Sequence, residues 1–413
     1  MKSESTAEKV SATLDGKTLP TLTLQQLDAD PHGVFRQYRK DHAVVLHETG
    51  GYFVLRFSDV DRLSKDPRFR ASGTAFPETL GISSGTIFDA FEYGMLTVDG
   101  EVHRRRRGPF SRTFAVRTIA EMRPSIRRTA HELIDEWYGD GEVDLFDRFA
   151  AQMPARLIAD LLGLPRQDIP EFTLLVYEVL KIFDFGLKPD EIAEIEKAAQ
   201  RLHSYVDEVL EERRRKPRED FLSAFLTAAT EAGEMSPEEM LYQIFALISA
   251  GADTTRVAIA TQIALLLQHR EQWAEVCRDP ALVPGAVAEA MRFEPSIGGT
   301  IRITGGDVEV DGTVIPAGKL VTLSTMSAMR DENVYHRPDT FDIHRTDLPR
   351  LHPVFGYGAH RCLGEALAKA ELEESLSAIT ARIPGLNMAA PPHIKGHFGV
   401  RRIDAAIPVF WKP

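Results

Sequence analysis

The sequence predicts a mainly α protein with a minor β component, folded as one domain over residues 1–413. Three observations predict this class. Long stretches carry apolar residues at three- and four-residue spacing, the period of a helix with one buried face. Segments with a strand signature are few and short. No internal repeat, low-complexity tract or Gly/Ser-rich linker divides the chain.

Residues 1–18 are polar and charged, and they read as a flexible tail. Tyr52–Arg56 is a short β-branched and aromatic run and reads as a strand. Ser125–Tyr138, Asp144–Leu164 and Pro189–Arg215 have helical periodicity. The second stops at Gly163-Leu164-Pro165, where proline cannot continue a helix. The third opens on a proline, tolerated in a first turn, and closes on Arg213-Arg214-Arg215-Lys216, cations suited to a helix C-terminus. Val308–Val310, followed by Asp311-Gly312, and Leu320–Ser324, preceded by Pro316-Ala317-Gly318, read as strands beside turns.

Composition excludes several function classes. A chain of 413 residues, 43% apolar, buries a large core, so it is neither globally disordered nor a disulfide-stapled miniprotein. Its two cysteines cannot build a Cys₄ zinc or iron–sulfur site. A net charge of −12 argues against a nucleic-acid binder. The amino terminus has no apolar secretory core, and the most apolar run, Ile244–Ala252, is short and ends at Asp253. A cytoplasmic protein without a membrane partner is expected.

Chemistry concentrates at Phe355-Gly356-Tyr357-Gly358-Ala359-His360-Arg361-Cys362-Leu363-Gly364-Glu365-Ala366-Leu367-Ala368. A glycine-rich loop delivers one cysteine into what reads as the first turn of a helix. The free N–H groups and dipole there stabilise an anionic sulfur, and such a thiolate can ligate iron. A buried structural thiol is the alternative. Zinc fits poorly, because only His352 and His360 lie nearby, and the glycine spacing is not that of a dinucleotide loop. The whole pattern, Phe-Gly-x-Gly-x-His-x-Cys-x-Gly-x-x-Leu-Ala, resembles the haem-binding signature of the cytochrome P-450 family.

That resemblance covers nearly the whole chain, from Asp30-Pro31 to Val409-Phe410-Trp411. It implies a single P-450-type haem-thiolate fold, haem b (iron protoporphyrin IX) as cofactor, and Cys362 as the metal ligand, flanked by Phe355 and Gly364. Ala250-Gly251-Ala252-Asp253-Thr254-Thr255 matches the family's oxygen-activation motif. Small Ala250 and Gly251 would let the backbone approach a flat cofactor, and Asp253 and Thr254 would be the catalytic proton route. The competing account is a threonine bonded back to the carbonyl four residues earlier. Glu289-Ala290-Met291-Arg292 matches the family's ExxR, for which the resemblance implies a structural lock on Arg345. Glu101/Arg104, Glu211/Arg214, Glu212/Arg215 and Glu275/Arg278 share that spacing, and only chain order selects Glu289. His103, Arg107, Arg302 and His360 match positions that bind haem propionates, with a surface cation as the alternative for each. Met329-Arg330-Asp331 departs from the family in lacking an Asn before Arg-Asp.

The implied activity is insertion of one oxygen atom of O₂ into a small, largely apolar or aromatic substrate, by hydroxylation or oxidative dealkylation. No reductase segment follows within the 413 residues, so electrons are expected from a separate ferredoxin and its reductase. The basic stretch His103–Arg107 with Arg112 stands out in an acidic chain. Arg104, Arg105 and Arg112 are expected to be exposed and to steer that partner. Phe76, Phe88, Phe91, Phe172, Phe183 and Phe185 lie in regions that roof the substrate pocket in the family. Gly298 and Gly299 would leave room beside the haem, and Lys181 and Lys188 leave a carboxylate-bearing substrate open. A peroxide-driven hydroxylase and a non-catalytic haem sensor are the alternative functions.

Overall fold

The most apolar run of the sequence lies inside a 32-residue helix, Pro237–Gln268. Its start has a reciprocal cap: Ser236 Oγ accepts from the Glu239 N–H (3.1 Å), and the Glu239 carboxylate accepts from the Ser236 N–H (3.0 Å). The helix is long and apolar enough to cross a membrane by length and composition, which the sequence reading did not anticipate, but much of it is buried inside the protein. Its first half, through Ile244, Phe245, Ile248 and Ala252, enters one hydrophobic core. Its second half, through Val257, Ala260, Ile263 and Leu266, enters another. The Ala250–Thr255 motif therefore sits at the seam between two cores.

The computed structural model describes residues 13–14, 17–114, 116–184, 187–233, 235–349, 352–403 and 405–413. Phe185, one of the six expected roof phenylalanines, lies outside them. The helices Gln152–Leu161, Ile169–Leu180, Pro189–Arg215, Val283–Phe293 and Glu365–Arg382 all pack on the long helix. A mixed sheet stands to one side in the order Gly399–Val400, Ile297–Thr304, Leu320–Leu323, Tyr52–Val54, Val44–His47, Thr21–Leu22. Leu320–Leu323 runs parallel to Tyr52–Val54 and antiparallel to Ile297–Thr304, pairing Val321 with Arg302.

Pro189–Arg215 is one helix, as its periodicity and end signals predict. The other two helices differ from the sequence reading. The helix expected over Ser125–Tyr138 runs Val116–Asp135. The segment Asp144–Leu164 divides into a strand Glu142–Asp144, a π-turn Phe146–Ala150 and a helix Gln152–Leu161. Pro154 explains the break: it has no N–H for the Ala150 carbonyl, and the preceding turn loosens so that Ala151 N–H reaches Phe146 O (2.8 Å). Glu142–Asp144 is drawn into strand by pairing with Pro408–Phe410, a contact no local pattern carries.

Gly298 and Gly299 are filled by protein and leave no space beside a cofactor. A Cβ on Gly298 would lie 2.6 Å from the His397 carbonyl carbon, and one on Gly299 would lie 2.5 Å from Thr322 Cγ2. These glycines let a strand pass between two neighbours.

Candidate active site

The cysteine loop is shaped by two left-handed glycines, Gly356 (φ 69°) and Gly358 (φ 65°). At Gly358 a side chain would also press on Ser64 O, 3.1 Å from its Cβ. The loop closes on itself where Cys362 N–H donates to Phe355 O (2.8 Å) and Arg361 Nη1 donates to Gly356 O (2.6 Å). Cys362 is not in the first helical turn, as the sequence reading had it. It lies two residues ahead of the cap residue Gly364, and the helix begins at Glu365. Burial raises the thiol above its ordinary value. The Gly364 N–H, bonded to the sulfur, and the Arg107 and Arg361 guanidiniums oppose that shift. The helix start thus contributes a hydrogen bond but does not by itself make a thiolate; a bound metal cation would.

Cys362 opens onto a cavity of about 260 Å³. Across from it stand Ala250, Thr254 and Ala258, four residues apart on one face of the long helix. Leu96, Ile297 and Thr300 add apolar and small groups, Phe355 lines the cysteine side, Arg302 brings positive charge, and His360 brings an imidazole that burial holds below its ordinary value. Thr254 Oγ1 donates to Ala250 O (2.9 Å), the back-bond weighed as the alternative to a functional threonine. The same side chain lines the cavity, so the two accounts coexist.

Two residues of the motif face elsewhere. Gly251 lies off the cavity lining, and its Cβ direction meets Ile158 Cδ1 at 3.1 Å, so its smallness serves packing against the Gln152–Leu161 helix. Asp253 is 1% exposed and lies off the cavity lining. Its carboxylate is held by Arg256 (2.8 Å) and by Arg402 from the C-terminal hairpin (2.5 Å).

His103, Arg107 and His360 lie close together beside the cysteine loop. The His103 and His360 rings lie 4.2 Å apart, and Arg107 Nη2 donates to Arg361 O (2.6 Å). Burial, then the neighbouring His360 and Arg107, push His103 down to about 4. Sequence reasoning missed Asp99, which accepts from His360 (2.8 Å) and from the Ala71 N–H (2.6 Å). As an Asp before Gly100 at a helix start it reads as a cap, yet its side chain makes no capping bond.

Arg105 is not a free surface cation. Its guanidinium is half-buried and bidentate on Glu239 (2.7 and 2.5 Å), where Arg106 also binds (2.9 Å). The Arg105 bond, with the Ser236 N–H and Arg106, holds Glu239 down at about 2 against burial. Arg104 and Arg112 are exposed, with Arg104 paired to Glu101 and Arg112 donating to Ala228 O (3.1 Å). Glu289 and Arg292 are fully buried and bonded at 2.6 Å, and Arg345 joins Glu289 at 3.1 Å, as the resemblance implies. Phe76, Phe91 and Phe183 come from three separate segments and cluster at 5.5–6.1 Å. Phe88 is half-buried, whereas Phe172 is a core residue.

These residues fit a flat dianionic macrocycle whose metal takes a sulfur ligand. His103 Nε2 is buried with no partner among the described residues. Arg302, on the cavity wall, has only the Ile301 carbonyl as a hydrogen-bond acceptor among them, so most of its donors are uncommitted. Fold and site define a haem-thiolate protein. A family model described as Cytochrome P450 matches residues 24–279 and 281–381, and the chain belongs to that family. It is similar to the plant-inducible cytochrome P450-pinF1 of Rhizobium radiobacter, 38% identical over 92% of this chain and 90% of that protein. The mycinamicin IV hydroxylase/epoxidase of Micromonospora griseorubida is 32% identical over 82% of this chain and 84% of its own length. The crystal structure of CalO2 superimposes with a TM-score of 0.87 at 28% identity, over 94% of this chain and 97% of that one. The protein is thus a cytochrome P450 monooxygenase, an oxidoreductase with a haem-iron cofactor. The non-catalytic sensor reading falls with that assignment.

Proposed function

We propose that the chain works as one catalytic domain that places one oxygen atom of O₂ on a small, largely apolar or aromatic substrate, drawing electrons from a separate ferredoxin. The observation that carries this is the meeting of Cys362, Thr254 and Arg302 on one cavity. Cys362 would hold haem b at its iron, and that group would supply the electron transfer to dioxygen and the oxidising power. Arg302 and His360, backed by His103 and Arg107, would pair with its carboxylates. Phe355 and Gly364 border the sulfur, the latter with its N–H, and Ala250 keeps the opposite wall low. The Phe76–Phe91–Phe183 cluster and the lining by Leu96, Ala258 and Ile297 favour an apolar or aromatic substrate.

Thr254 Oγ1 is the cavity group suited to passing on a proton, and Asp253, one residue earlier on the same helix, is the buried acid behind it. Replacing Thr254 with Ala should leave electron-donor consumption intact and divert most of it to hydrogen peroxide. The check is peroxide formed per donor oxidised; coupling equal to wild type would discard the role.

With Arg105 committed to Glu239, ferredoxin docking falls to Arg112 and, more weakly, to Arg104. Arg112 shares the Gly100–Thr113 helix with Arg107, which bonds the cysteine loop. Arg112→Glu should slow electron transfer at low salt by about 10-fold, with the difference closing as salt rises. Equal rates at every ionic strength would remove this surface from the docking site.

A further inference from the structure

The face of the long helix that lines the Cys362 cavity does not end with it. Ala250, Thr254 and Ala258 are followed on the same face by Thr261, Leu265 and Gln268, which line a second cavity of about 270 Å³. Residues 291–297 are shared in the same way: Met291, Ser296 and Ile297 line the first cavity, Phe293 and Glu294 the second. The remaining walls come from Leu27 and His32 and from residues 391–397. Among the described residues none lines both cavities.

Two buried polar atoms of this lining have no partner among the described residues. Thr261 is 2% exposed, and its Oγ1 is unbonded. A buried helical threonine can donate to the carbonyl four residues earlier, as Thr254 does to Ala250 O (2.9 Å), but Thr261 does not. The other atom is His32 Nδ1. His32 Nε2 bonds Glu294 (2.6 Å), a carboxylate that Arg330 (3.2 Å) and Arg401 also bind. Burial would raise Glu294, but His32, Arg401 and Arg330 overcome it and hold the carboxyl well below its usual range. Burial also holds His32 below its ordinary value, so the ring is neutral near pH 7. An ionised carboxylate only accepts, so Nε2 carries the imidazole proton and Nδ1 presents a lone pair.

We propose that this second cavity binds a neutral, apolar molecule bearing a hydroxyl group, at a site separate from the one beside Cys362. The hydroxyl supplies the donor that His32 Nδ1 lacks, and its oxygen can take the Thr261 proton. The body of the ligand meets Leu27, Ala264, Leu265, Phe293 and Pro392. Ordered water needs several polar partners, which such a lining does not offer. An apolar cavity of about 150 Å³ holds one benzene, so this one has room for about two fused rings. A charged ligand is disfavoured, because the ions of the floor are already spent. Glu294 is shared by His32, Arg330 and Arg401, and Arg401 also donates to Gly396 O (3.1 Å) and Ile394 O (3.1 Å). Asp28, Gln268 and His393 are exposed lining residues, so the site opens to solvent on its own side.

The test uses the haem-loaded protein saturated with 1-phenylimidazole, which ligates iron, shifts the Soret band and carries no hydrogen-bond donor. Titration calorimetry with 2-naphthol should then still show one equivalent bound. Thr261→Val, nearly the same shape, should weaken that binding about 10-fold, the scale of one lost hydrogen bond. Ala264→Leu should fill the cavity and abolish it, and the valine variant carries the test even if the leucine disturbs folding. Both variants should keep the azole-shifted Soret band, since neither residue lines the Cys362 cavity. 2-Methoxynaphthalene, which accepts but cannot donate, should bind wild type about 10-fold more weakly than 2-naphthol. No binding to the azole-saturated wild type would overturn the site, leaving solvent in this cavity and any naphthol beside the iron. An affinity unchanged in both variants would place the ligand elsewhere on the protein. Equal affinity for the naphthol and its methyl ether would overturn the part given to His32 and the hydroxyl.

Discussion

Cys362→Ser is expected to abolish monooxygenase turnover and to remove the red-shifted Soret band that the reduced carbon-monoxide complex of a thiolate-ligated haem displays. The sulfur is the electron donor to iron in this fold family, and a hydroxyl neither ionises near neutral pH nor matches its donor strength. The local structure should survive. Cys362 is open to the cavity and packs into neither core, and its N–H bond to Phe355 O uses the backbone. The substitution should therefore change unfolding free energy by no more than about 0.5 kcal/mol. His360 and His352 do not replace the sulfur, because the first faces Asp99 and the second is buried against Ala288 O (3.0 Å). A Ser variant that kept the thiolate-type band would show that the iron ligand lies elsewhere.

Why that residue could be read from sequence, while others could not, follows from the range of the interactions. The cysteine loop is local: left-handed glycines, a backbone hydrogen bond spanning seven residues and a helix start all leave their mark within one short window. Pro189–Arg215 is legible for the same reason, since its periodicity and both end signals are its own. Arg105 differs from its expected exposure because its partner, Glu239, is 134 positions away, on another helix that no local pattern brings beside it. Asp99 looks like a cap until the fold brings His360 and Ala71 to it. Gly251 and Gly299 look alike as small residues, yet one fits Ile158 and the other Thr322. A glycine in a sequence announces a close approach without saying what approaches. Arg402, in a two-residue strand near the chain end, carries no pattern at all, and only the contacts of its guanidinium distinguish it.

The second large effect is expected on stability, at Glu289. Glu289 and Arg292 are both fully buried. The carboxylate takes bonds from Arg292 Nε (2.6 Å) and Nη2 (2.8 Å), from Arg345 Nε (3.1 Å) and from the Asp342 N–H (2.9 Å). Arg292 in turn donates to Met329 O (3.0 Å) and Pro338 O (2.8 Å). Three chain segments that do not otherwise share a helix or sheet are thus held by one anion. Glu289→Gln keeps the shape but leaves the buried Arg292 guanidinium without a countercharge and Arg345 with Asp347 alone (3.0 Å), at a cost of about 3–5 kcal/mol. Against a total stability of about 5–15 kcal/mol, that should lower the denaturant midpoint sharply and yield protein poorly loaded with haem. The control has the same spacing and no burial. Glu101 and Arg104 are exposed, so Glu101→Gln should cost no more than about 0.5 kcal/mol and leave haem content unchanged. Equal losses from the two substitutions would mean that the i,i+3 pair matters for its helix alone. A loss confined to Glu289 assigns it to the three-segment junction, whose partners Arg345 and Asp342 a helical pair does not require.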